Sequence, residues 1–193
     1  MKEKTLAQKL LGVWNTKTIV GVAIGAALFA VLMNYGGIKV TTNTSLTSAY
    51  IIPAIVGALF GPLPAGLAAG LGNVLADLIG GWGFWFDWSA GNFVAGYFAG
   101  LVGLFGASVE DGKFDAKDAI VYIICCVVGC GLGFGLVTPF LTYCWYSSEL
   151  TVTWVQAWAA IVSDASVLIV VGLPLLIVLA KRNKRGTNLS KED

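Results

Sequence analysis

Apolar residues in this chain come in runs too long for the half-polar pattern of a soluble domain. No charged side chain interrupts residues 18–38, 40–76, 89–109, 119–148 or 165–180. A helix crossing a bilayer needs roughly 20 apolar residues, so the longer runs must be subdivided or form tilted helices. Glycine, proline and polar clusters divide the chain into six spans. The first covers about 17–36 and gives way to the polar loop IKVTTNTSLTS. The second, about 49–60, is short unless that Thr/Ser-rich approach is itself helical. It stops where Pro62 and Pro64 disfavour continuation. The third covers about 65–79 and ends at Gly80-Gly81, and the fourth covers about 89–107 before the charged loop SVEDGKFDAKD. The fifth covers about 119–142, with Pro139 as an expected kink. The sixth covers about 152–180, where KRNKR stops it and Pro174 can bend it. The expectation is an all-α integral membrane protein with a single domain: an arm at 1–16, a six-helix bundle at 17–180 and a basic tail at 181–193.

Charge distribution sets the orientation. Of the 12 lysines and arginines, all but Lys39 lie in the N-terminal arm, the central charged loop or the C-terminal tail. The positive-inside rule then makes both termini cytoplasmic, and an even number of spans agrees. The first span is too long for a signal-peptide core. Within the arm, Leu6, Leu10, Val13 and Trp14 recur at helical spacing and suggest a short helix lying on the interface; a plain solvated arm is the alternative. Cys125, Cys126 and Cys130 fall inside the fifth span and Cys144 just beyond it. Histidine is absent and no CxxC spacing occurs, so the cysteines read as small buried residues and no metal site is expected.

Six of the seven tryptophans fall in segments expected at one face of the membrane: Trp82, Trp85, Trp88, Trp145, Trp154 and Trp158. An interfacial belt decorates both faces. A one-sided concentration, with Tyr35, Tyr143 and Tyr146 nearby, suggests an aromatic pocket instead. Polar residues at membrane depth converge on the same end: Asn73 and Asp77 on one face of the third span, Asn92 opening the fourth, and Asp164 in the sixth with Gln156 further outward. A carboxylate there normally has a partner or a wet cavity. Asp77 could also simply reach water, and Asp164 could be a structural hydrogen-bond partner of a neighbouring helix. Asp87 reads as exposed on the loop. In the first span, Gly21/Gly25, Ala23/Ala27 and Ala26/Ala30 have the small-xxx-small spacing that permits close helix approach; the partner helix could be external or internal. Gly66, Gly70, Gly96, Gly100 and Gly103 read as internal packing positions.

The stretches TKTIVGVAIGAALFAVL and SAYIIPAIVGALFGPLPAGLAAGLGNVLADLIGGWGFWFDWSAGNFVAGYFAGLVGLF resemble the substrate-binding S component of energy-coupling factor (ECF) vitamin transporters, over roughly residues 15–180. The resemblance implies a six-helix bundle in the bacterial cytoplasmic membrane, binding a vitamin at its outer end and carrying no prosthetic group. It implies assembly with a coupling transmembrane protein and two cytoplasmic ATPases, the coupling protein meeting the first helix at Ala23 and Ala27. Transport would proceed by toppling of the subunit in the bilayer. Substrate contacts are expected from Asn73, Asp77, Trp82, Trp85, Trp88, Asn92, Tyr143, Trp145, Trp158 and Asp164.

The run Gly72-Asn73-Val74-Leu75-Ala76-Asp77 resembles a branch associated with cobalamin and related corrinoids, with Asn73 where histidine is expected. Riboflavin, thiamine or its pyrimidine precursor would suit the same residues. No GxxxxGK[ST] pattern occurs, so ATP must be hydrolysed elsewhere, and nothing points to nucleic acid. Two other classes compete. An intramembrane enzyme using Asp77 and Asp164 would need them as a dyad, in a sequence context that neither has. A channel would leave the outer aromatic cluster without a role.

Overall fold

The computed structural model describes residues 5–39, 45–146 and 150–189, with side chains as far as Lys184. Lys2, Lys4 and Lys191, used above for orientation, lie outside the described residues. The arm forms a short helix α1 (Leu6–Leu11), closed by a capping box between Thr5 and Gln8. The first span is α2 (Thr16–Tyr35), whose N-terminus is held by Asn15 Oδ1 accepting from the Thr18 N–H at 3.0 Å. At about 1.5 Å per residue, its 20 residues rise about 30 Å, the thickness of a hydrocarbon core.

The described residues of the polar approach to the second span are not α-helical. Strands β1 (Gly37–Lys39) and β2 (Ser45–Thr47) form an antiparallel hairpin with Ile38 opposite Leu46. Their mutual hydrogen bonds satisfy backbone groups that an irregular loop at this depth would leave bare. A single 3-10 turn, Ser48–Tyr50, leads into α3 (Ile51–Phe60). The second span is therefore only ten residues of α-helix, half the length of its neighbours.

Gly61, at φ 102°, turns the chain directly into α4 (Pro62–Gly80). Pro62 occupies the first helical position, where a missing N–H costs nothing, so the third span starts three residues earlier than expected. Next come α5 (Phe86–Gly100), extended by a 3-10 segment to Phe105, and two long composite helices. The first joins α6 (Ala116–Leu132) to α7 (Thr138–Tyr146) through a π-helical turn, Gly133–Val137. The second joins α8 (Leu150–Val167) to α9 (Leu173–Leu189) through another, Leu168–Gly172. Each wide turn lies immediately before a proline region, at Pro139 and Pro174. The ring would otherwise collide with the carbonyl four residues back, and the extra residue opens that turn. The Leu168 carbonyl accepts from both the Leu173 N–H and the Tyr122 hydroxyl, the latter at 3.3 Å.

Among the described residues, five helical stretches are long and apolar enough to cross a membrane, and Ser48–Phe60 is a shorter apolar one. Small residues set the spacing at the centre. A Cβ on Gly57 would lie 2.6 Å from the Gly100 Cα, and one on Gly96 would lie 2.8 Å from the Ala65 carbonyl oxygen. Gly66 and Gly70 lie against Phe93. Gly103, expected to pack likewise, differs: among the described residues a Cβ added there would meet nothing within 4 Å.

The two ends differ in charge. At one end Lys17 Nζ lies 3.5 Å from Glu110, Asn183 donates to the Val109 carbonyl at 2.9 Å, and Gly112 abuts Lys184. At the other end lie the hairpin, the α4–α5 loop and the tops of α7 and α8.

Candidate functional site

The hairpin end holds a cavity of about 340 Å³. Its position follows from the short second span: α3 begins at Ile51, and the space above it is left to side chains from α2, α4, α5 and α8. Asn73, Asp77, Trp82, Trp85, Trp88, Asn92 and Asp164 all line it. The other three expected contacts do not. Tyr143, Trp145 and Trp158 face outward with 64%, 62% and 62% of their surface exposed, and Trp145 packs edge-on against Phe86 at 5.1 Å. The aromatic concentration thus has two parts, one enclosing the cavity and one facing the surroundings of the bundle.

Backbone geometry aims the first part. Gly81 caps α4 in the left-handed region at φ 71°, with its N–H on the Asp77 carbonyl, and Gly83 follows at φ 83°. A side chain is strained at either position, and the pair bends the chain sharply around Trp82. The Trp85 indole N–H then donates to the Trp82 carbonyl at 2.9 Å, and its ring meets Tyr146 at 5.0 Å. Trp88, one turn into α5, lies 5.9 Å from Phe134. Lys39 of the hairpin sits 5.9 Å over the Trp82 ring, within reach of a cation–π attraction.

Beneath the indoles runs a buried polar network. Tyr50 donates its hydroxyl proton to Asn92 Oδ1 at 2.5 Å. The Asn92 amide donates to Asn73 Oδ1 at 3.1 Å and to the Trp88 carbonyl at 3.0 Å. The Asn73 amide in turn donates to Asp77 Oδ2 and to Ser89 Oγ, both at 3.1 Å. Every member has a partner, which is the condition for a buried network to hold one geometry. Asp164, 4% exposed, accepts from Ser163 at 3.0 Å. Among the described residues no hydrogen bond joins Asp77 to Asp164, so the dyad that an aspartate enzyme would need is not formed. The arrangement offers flat apolar walls, fixed amide donors and acceptors, and carboxylates at the floor. It is suited to binding.

Sequence reasoning missed several wall residues. Tyr50, Asn34 and Lys39 line the cavity, as does Gln156, which was expected at this end. Tyr50 could have been flagged, since a tyrosine inside a charge-free run needs a partner for its hydroxyl. Lys39 could not, because only the hairpin folds it inward. Asp87 requires a correction. Expected on an exposed loop, it is 1% exposed in the first turn of α5. The helix starts at Phe86, earlier than expected, and turns Asp87 toward α7, where Thr142 donates to its Oδ2 and Thr138 donates to its backbone carbonyl at 3.1 Å.

Comparison with known proteins agrees with this architecture. Residues 13–181 match the family described as "ECF-type riboflavin transporter, S component". A UPF0397 protein of Aliivibrio fischeri (strain MJ11) is 32% identical over 179 residues, covering 92% of this chain and 97% of that protein. One from Vibrio vulnificus (strain YJ016) is 34% identical over 180 residues, covering 92% and 98%. The crystal structure of FolT bound with folic acid superposes with a TM-score of 0.59 over 87% of this chain and 96% of that one, at 19% identity. At that identity the likeness speaks for the fold alone. The match over nearly the whole bundle carries the assignment: this chain belongs to the ECF-type S-component family, and it is a multi-pass cell-membrane transport subunit, not an enzyme.

Proposed function

We propose that this chain captures a vitamin built on one flat nitrogen heterocycle and hands it to an ECF module for import. The carrying observation is the cavity at the hairpin end, with Trp82, Trp85 and Trp88 around a floor of Asn73, Asn92 and Asp77. Its volume of about 340 Å³ lies at the lower end of the ~300–1,000 Å³ range of small-ligand sites. That favours riboflavin, the substrate in the matched family's description, or thiamine and its pyrimidine precursor. The cobalamin reading suggested by Gly72–Asp77 has less support, because a corrinoid is much larger than the ligands such a space encloses.

The partner face follows from how α2 divides its small residues. Gly25, Ala26 and Ala30 are buried, and Gly21 abuts Phe60. Ala23 and Ala27 alone among the paired positions face outward, between Ile24 and Leu28, which are about half exposed. This supports Ala23 and Ala27 as the contact with the coupling protein, whose two associated ATPases supply the energy. The end opposite the hairpin, where Lys17 and Lys184 lie, is assigned to the cytoplasm, which opens the cavity to the outside until the subunit topples. Mass spectrometry of ligand retained after mild purification tests the reading. A flavin or thiamine-type mass is expected, and a retained corrinoid would overturn the size argument.

A further inference from the structure

A second pocket of about 310 Å³ adjoins the first and shares Trp85, Trp88 and Gln156 with it. Its remaining wall includes Asp87 and Thr142. Asp87 is nine-tenths and more buried, and only one of its carboxylate oxygens is occupied. Thr142 donates to Oδ2, while Oδ1 is buried without a hydrogen-bond partner among the described residues. A buried carboxylate is costly unless its lone pairs are met by donors or cations, and most buried polar atoms in folded proteins are so met. The balance of charge around the joined pockets points the same way. Asp77, Asp87 and Asp164 face them, against Lys39 as the single cation among the lining residues. What is missing beside Asp87 is a donor, and the shared walls are two indoles, which favour a flat partner.

We infer that the Asp87 pocket is a subsite for an N–H group carried by the ligand, the ring lying against Trp85 and Trp88 and the N–H reaching Asp87. This rests on the heterocycle-binding reading above and narrows it to ligands with a donor at one edge. Two matched pairs of probes test it: thiamine against its analogue with the pyrimidine amine dimethylated, and riboflavin against its N3-methyl derivative. Titration of the purified full chain by tryptophan fluorescence should show the N–H-bearing member of the bound pair favoured by about tenfold or more, the size of one charge-assisted hydrogen bond. In Asp87→Asn the preference should fall to about twofold or invert, while Asp77→Asn should keep it. Equal affinity within the pair in the wild-type chain, or a preference that survives Asp87→Asn, overturns the subsite. Either result leaves the receptor reading standing, because the probes still bind; a pocket that merely holds water would give the first. If Asp87→Asn does not fold, the wild-type ratio decides alone. If neither pair binds the wild-type chain, both readings fall.

Discussion

Asn92 accepts from Tyr50 and donates to Asn73 and to the Trp88 carbonyl, so removing its amide takes a partner from the Tyr50 hydroxyl and from Asn73 Oδ1 at once. A buried polar group left without its partner costs about 1–3 kcal/mol. Asn92→Ala should therefore lower the melting temperature of the detergent-solubilised protein as well as weaken ligand binding. Asp77 is different: it stands at the edge of the network with a single side-chain donor, Asn73. Asp77→Ala should leave the fold intact and remove an acceptor worth roughly 1.5–3 kcal/mol to a ligand donor, a tenfold or greater loss in isothermal titration. Trp158→Ala, outside the cavity, should change affinity by less than about twofold; a tenfold loss would show that the outward tryptophans belong to the site after all.

The helices teach which parts of such a chain can be read in advance. Span number and approximate limits follow from charge-free runs, because lipid leaves the backbone little choice but helix. Most of the cavity's polar wall was legible too, since Asn73, Asp77, Asn92 and Asp164 are polar where polarity is costly. The hairpin was not legible: the pairing of Gly37–Lys39 with Ser45–Thr47 comes with packing of the second strand against α8, which no local pattern announces. The inward turn of Asp87 was equally hidden, being set by a helix start displaced three residues from the expected one. Small residues show the same limit, since Gly25 and Ala27 share one motif yet only the second is exposed. That division predicts opposite outcomes. Ala23→Trp or Ala27→Trp should abolish complex formation and uptake while the solitary protein still binds ligand. Gly100→Val should destabilise the fold itself by about 1–3 kcal/mol through overpacking, visible in thermal melts, because the backbone of Gly61 and Pro62 leaves no room for a side chain.

At the scale of the whole molecule, orientation is testable through the cysteines. Cys144 is exposed at the hairpin end, whereas Cys125, Cys126 and Cys130 are buried. A membrane-impermeant maleimide added to intact cells should label Cys144; labelling only after permeabilisation would invert the assignment and put the cavity on the cytoplasmic side. The ten residues of α3 carry a further consequence. A full-length span at that place would need about ten more residues, a cylinder some 15 Å long and 10 Å wide, or roughly 1,200 Å³. Part of that displaced volume is taken by the hairpin and by Tyr50, and about 340 Å³ is left open. The binding chamber is thus made by subtraction: neighbouring helices keep their close glycine contacts, and one truncated member supplies the room. Ligands of different girth could then be accommodated by lengthening or trimming the single segment between α2 and α3, with the helix-to-helix scaffold untouched.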